Sequence, residues 1–177
     1  MKVIKTQFDW KVCVVESGKS DLKNCCREYG VEDYINNTED FDVYTKNLID
    51  EMLLRNKDLK EFRKRENNDC DEAEYMKKYR RIVVLIDDFN EFFSMASDQA
   101  MNYIENIVSG GKGLEVYLVF TGDPFQLTSY VGQKVYDCVF DGQSGILLGG
   151  SMDSQNIFNV TRTINKEVFS MKAAWDI

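Results

Sequence analysis

Arg80-Arg81-Ile82-Val83-Val84-Leu85-Ile86-Asp87-Asp88-Phe89 (RRIVVLIDDF) decides how the rest of the chain is read. Its aliphatic run, Ile82 to Ile86, is too short for an ordinary helix and has no polar alternation, so it reads as a strand buried on both faces. A strand of that kind belongs in a parallel sheet. It ends in two carboxylates, and in open α/β sheets ligands bind at the carboxyl ends of the strands. An apolar strand closed by paired acids is the Walker B arrangement, in which the first acid, Asp87, helps hold Mg²⁺ on a nucleotide and the second, Asp88, orients an attacking water. Acids also end strands because the chain emerges into solvent or because they cap the next helix. Both readings stand at this point.

The composition sets the outer limits. With 177 residues, 44% hydrophobic and 29% charged, the chain suits one folded domain, residues 1–177, with a substantial core. A net charge of -8, from 30 acids against 22 bases, repels phosphate backbones and speaks against non-specific nucleic-acid binding. There is no histidine, so zinc sites and Ser-His or Cys-His catalysis lack their usual residue. Cys13, Cys25, Cys26, Cys70 and Cys138 form an odd set without a C-x-x-C pair, which fits reduced thiols. No apolar run approaches the roughly 20 residues of a membrane span, so no direct span is expected.

Outward from the central strand, Lys11 to Val15 is a strand and Asp21 to Tyr29 a helix stopped by Gly30. Between them Gly18-Lys19-Ser20 has the ending of a phosphate loop, but the first glycine of such a loop would fall at Cys13, inside the strand, so the segment reads as a polar turn. Val31 to Ile35 is a short strand, and Asn36 to Asp40 a turn able to cap the next helix. Tyr44, Leu48, Met52, Leu59 and Phe62 write a long helix from about Phe41 to Arg65, with Lys46, Asp50, Arg55, Lys57 and Lys60 expected on its solvated face. Glu66 to Glu74 is expected as an exposed loop. Past the central strand come a short helix, Phe89 to Ala96, and a second from Ser97 to Val108, stopped by Gly110-Gly111. Leu114 to Thr121 is the next strand, joined by a right-handed crossover, so Asp88 and Asp123 are expected on one rim of the sheet. Phe125 to Phe140 is an amphipathic helix interrupted by Gly132. Short strands are expected at 145–150, 157–160 and 173–177.

The segment from Arg81 to Val160, with VVLIDDFNEFF, the LVFTGDP strand end and GILLGGSMDSQNIFNV, resembles the FtsK/SpoIIIE-type ATPase modules, and within them the carboxy-terminal module of the EssC/EccC ATPase of type VII secretion. The resemblance implies an α/β fold, a RecA-like P-loop NTPase sandwich with a mostly parallel central sheet, in a membrane-anchored motor on the cytoplasmic side that assembles around a pore. It implies ATP and Mg²⁺ as cofactors, with Asp87 and Asp123 toward the nucleotide, Asp87 on the metal through water and Asp88 in the catalytic place. The implied partners are WXG-type secretion substrates and the other modules of the motor.

Three departures redirect that expectation. Only about ten residues precede the strand at Lys11, where the family carries the Walker A strand and loop, so the amino-terminal unit is expected to be missing. Active members carry Asp-Glu where this chain has Asp87-Asp88, and misplacing a water-orienting group by about 1 Å costs on the order of a hundredfold in rate. A polar sensor, typically Gln, is replaced by Gly122-Asp123. The expected function is therefore substrate recognition and motor assembly rather than hydrolysis, with no nucleotide held by this chain alone. An acidic surface with apolar positions suits an amphipathic helix, and Tyr130 to Val139 is one candidate groove. Two alternatives remain: an Mg-ATP-binding domain completed by upstream residues, and a DNA translocase module.

Overall fold

The structure, a computed structural model, describes residues 9–16, 22–66, 69–127 and 132–141. The chain divides into two compact units, Met1–Gly122 and Asp123–Ile177.

The first unit is an α/β domain built on four parallel strands: β1 (Lys11–Glu16), β2 (Asp33–Ile35), β3 (Ile82–Asp87) and β4 (Val116–Phe120), in the order β2-β1-β3-β4. The IVVLID strand lies between β1 and β4, as its two-sided apolar character requires: Ile82, Val83, Val84 and Ile86 are buried. The connections run from β1 outward to β2 and then cross to the far side of β1, which makes the gap between β1 and β3 the topological switch point.

Strand alternation assigns the two faces. Val12 and Val14 of β1 and Leu85 of β3 pack with Cys26 and Leu22 of α1 (Leu22–Glu28), and with Val31 and Tyr34. Gly30, at φ 60°, ends that helix turn in the left-handed conformation that favours a residue without Cβ. The opposite face, from Cys13 and Val15 across to Ile86 and Phe120, is covered by α2 (Thr38–Arg65), α4 (Phe89–Met95) and α5 (Asp98–Gly110). Phe120 meets Phe89 edge-on at 4.9 Å, and Phe92 meets Phe41 of α2 at 5.1 Å. Two further bonds join the start of α2 to this layer, from Thr38 Oγ1 to the Met95 carbonyl at 2.8 Å and from Ser97 Oγ to Asp42 at 2.6 Å.

Several boundaries differ from expectation for local reasons. Asn37 caps α2, accepting the Asp40 amide at 2.8 Å, so the helix begins at Thr38 rather than Phe41. Arg55 does not lie on the solvated face: it is 3% exposed, and its guanidinium donates to the carbonyls of Leu114 at 2.9 Å and Arg80 at 3.1 Å. Nε donates to Glu51 at 2.8 Å, and the group lies over the Tyr79 ring. The exposed loop expected over 66–74 contains the start of α3 (Glu72–Met76), capped by Asp71 and bound to α2 by Arg63–Glu72 and by stacking of Phe62 on Tyr75. Strand β4 begins at Val116, because Lys112–Leu114 forms a 3-10 turn and Glu115 is left-handed at φ 60°. Gly111 at the end of α5 fits a close approach, since a Cβ there would lie 2.5 Å from the Ile107 carbonyl and 2.6 Å from that of Val116.

In the second unit, the helix expected over Phe125 to Phe140 is two helices, α6 (Pro124–Leu127) and α7 (Lys134–Asp141), with Gly132 at φ 89° between them. The strands expected at 145–150, 157–160 and 173–177, and the Gly18-Lys19-Ser20 turn, lie outside the described residues. Among the described residues no helix is long and apolar enough to cross a membrane. Cys13, Cys25, Cys26 and Cys70 are free thiols.

Candidate functional site

The carboxyl end of β3 is where sequence and topology converge, and Thr121 organises it. Its hydroxyl donates to Asp87 Oδ1 at 2.9 Å and accepts the Asp88 amide at 2.9 Å. Its own amide donates to the Ile86 carbonyl at 3.0 Å, and its carbonyl accepts the Phe89 amide at 2.9 Å. One residue beyond β4 thus fixes both Asp87, the last residue of β3, and Asp88, which follows it.

Asp88 has a second task. Its backbone sits at φ 57°, rare for a residue with a side chain but best tolerated by Asp and Asn. From there its carboxylate accepts the amides of Asn90 at 3.1 Å and Glu91 at 3.4 Å, capping α4. That oxygen serves the helix end, the role in which an acid after a strand has no need of a nucleotide.

Asp87 has an acidic in-register neighbour that the sequence pattern does not single out. Glu16 closes β1, pairs in register with Asp87 across the switch point, and is 6% exposed. It accepts a hydrogen bond from the Tyr34 hydroxyl. Neighbouring in-register positions share a face, so the two acids lie side by side on one face of the sheet. The signal for Glu16 is the acid that ends KVCVV, and for Thr121 the hydroxyl that ends YLVF.

Asp87, Asp88, Thr121 and Glu16 thus come together on one rim. Asp123 opens the second unit, where its carbonyl accepts the amides of Gln126 at 3.1 Å and Leu127 at 3.0 Å at the start of α6. The groove suggested at Tyr130 to Val139 has Val135 and Tyr136 buried, which assigns those two to packing.

For Mg²⁺ the donor type fits and the number falls short. Asp87, Glu16 and the Thr121 hydroxyl are hard oxygen donors, but among the described residues no group of three or more acids or thiols is placed to hold a metal. Mg²⁺ is usually held by one or two carboxylates together with substrate phosphates, so Asp87 would take its place in such a set only with phosphate present.

Among the described residues, two clefts open at the amino ends of the strands of the first unit, away from this rim. One, of about 470 Å³, is lined by Trp10, Tyr79 and four cations. Each cation is already matched: Lys77 by Glu74, Lys78 by Asp58 at 2.5 Å, Arg80 by Glu32 at 2.6 Å, and Arg81 by Glu115. Hydrogen bonds from Lys78 first, then Tyr79 and Tyr75, hold the Asp58 carboxyl below its ordinary range. The other, of about 430 Å³, lies between α2 and the starts of β1, β2 and β3, with Lys11 bridging to Asp33 at 3.1 Å. Beside it burial pushes the Cys13 thiol up to about 12 and raises the Tyr44 phenol as well. Matched charges of this kind make neither cleft an anion trap.

No protein-family model, no curated protein and no solved structure matches the chain, so the geometry of the β3 rim and the sequence pattern carry the functional reading.

Proposed function

We propose that the chain is a degenerate ATPase module of RecA-like fold, of the FtsK/SpoIIIE type found at the carboxy-terminal end of type VII secretion motors. Its role on this reading is substrate recognition and motor assembly rather than hydrolysis. The observation that carries it is the commitment of Asp88: the residue in the water-orienting place has its carboxylate on the amides of Asn90 and Glu91. Support for the module itself comes from the interior parallel strand that leads into Asp87-Asp88, with Thr121, one residue beyond the neighbouring strand, bound to both. A net charge of -8 sets the DNA-translocase reading aside.

Calorimetric titration tests the proposal. No heat with Mg-ATP, and saturable binding of a peptide carrying the carboxy-terminal helix of a WXG-type substrate, is the expected pair of results. Micromolar Mg-ATP binding that disappears in Asp87→Ala would replace this reading with the nucleotide-binding one.

A further inference from the structure

The outer face of α2 has a pattern that the proposed function does not use. Leu53 and Leu54, 60% and 65% exposed, stand near the middle of this 28-residue helix. Around them Lys46, Asp50, Lys57 and Glu61 recur at spacings of four, seven and four, which keeps them on one stripe of the helix surface. All four are exposed, and none of them forms an ion pair among the described residues.

We infer that two copies of the chain associate through this stripe, with their α2 helices antiparallel and a two-fold axis passing between Leu53 and Leu54. The order of charges selects a second copy over another partner. In the antiparallel register centred on the leucines, Asp50 comes level with Lys57 of the other copy, and Lys46 with Glu61. The two-fold axis repeats each pair, so four opposite-charge contacts flank four leucine side chains. A parallel pairing in register sets Lys46 on Lys46 and Asp50 on Asp50, like against like. The ends agree with this choice: α2 begins with Glu39 and Asp40 and finishes with Arg63, Lys64 and Arg65, so antiparallel copies bring acidic turns toward basic ones and oppose the helix dipoles. The surface is self-complementary, as an isologous interface must be.

An interface made by one helix face lies near the lower limit for specific association, about 1,000 Å² in total, so the pair is expected to exchange with monomer. Sedimentation equilibrium of the full chain from about 1 to 100 µM spans the range for such a surface. The expected result is a monomer-dimer equilibrium that shifts severalfold toward monomer when NaCl rises from about 50 to 500 mM, because rim ion pairs are screened. Asp50→Lys puts Lys opposite Lys57 and is expected to weaken association at least tenfold. The double change Asp50→Lys with Lys57→Asp restores opposite signs and is expected to recover it. Leu54→Ser removes apolar contact without adding charge and weakens it at low and high salt alike. Circular dichroism confirms that each surface variant is folded. A wild-type chain that stays monomeric at 100 µM, or a dimer indifferent to Asp50→Lys, overturns the inference.

Discussion

Thr121 and Asp87 sit 34 residues apart in sequence, yet the hydroxyl of one donates to the carboxylate of the other at 2.9 Å and closes the rim between β3 and β4. The same oxygen receives the Asp88 amide, so a single hydroxyl orders the whole acid pair.

Removing that hydroxyl separates its two bonds from the shape of the side chain. Thr121→Val is expected to lower unfolding free energy by about 1 kcal/mol, a modest loss because the residue is exposed and water replaces the lost partner. Thr121→Ser keeps the hydroxyl and is expected to lose less than half as much. Urea midpoints at constant m-value measure both.

Asp88 tests whether its carboxylate is spent on capping. Asp88→Asn retains an acceptor and tolerates φ 57°, so stability is expected to change by less than about 0.5 kcal/mol. Asp88→Ala loses the cap and places a less tolerant residue at that φ, for an expected cost of about 1–2 kcal/mol. Equal effects of the two substitutions would show that the cap contributes nothing.

Arg55 is the substitution expected to matter most. Arg55→Met keeps an unbranched apolar stem but leaves the Leu114 and Arg80 carbonyls without their donor, for an expected loss of about 2–4 kcal/mol. Arg55→Lys is expected to recover little, because one ammonium cannot reproduce the planar fork. Glu51→Gln is expected to cost under about 1 kcal/mol, since Glu51 is 40% exposed and its half of the pair is solvated. Thermal and urea unfolding of the three variants check the order.

Cys13 predicts alkaline lability. Its folded-state pKa is raised by burial from 9.0 to about 12, so the unfolded chain releases the proton first. The stabilisation is complete below about pH 9 and is lost as pH rises through about 12, by an amount on the order of 2–4 kcal/mol. Burial raises Tyr44 in the same direction. Stability measured from pH 7 to 11 should fall more steeply in the wild type than in Cys13→Ala, whose side chain cannot ionise. Parallel pH profiles would remove the thiol from the explanation.

What the sequence disclosed was local, and what it concealed was the meeting of distant segments. The run from Ile82 to Ile86 announced an interior parallel strand, and Ser97 with Gly110-Gly111 marked both ends of α5, because each signal lies within the element it defines. Arg55 is misassigned by its charge: it stands seven residues after Leu48 and four before Leu59, on the buried stripe, where the carbonyls of Leu114 and Arg80 give it partners that no helical pattern records. Glu72–Met76 is too short to show a period, although Asp71 with Glu74 three positions on has the form of a helix start. At the rim, Asp87 and Asp88 were legible as strand-ending acids. Thr121 and Glu16 acquire their roles only through the strand order, which brings β1 and β4 to either side of β3.

Because one guanidinium grips the leading ends of both β3 and β4, the long helix has no freedom to glide along the sheet without dragging those entrances with it. Helix and strands therefore open together or not at all. The Ile82 amide, bonded to the Glu115 carbonyl at 2.9 Å between those two grips, should trade its proton for deuterium only when the entire unit comes apart.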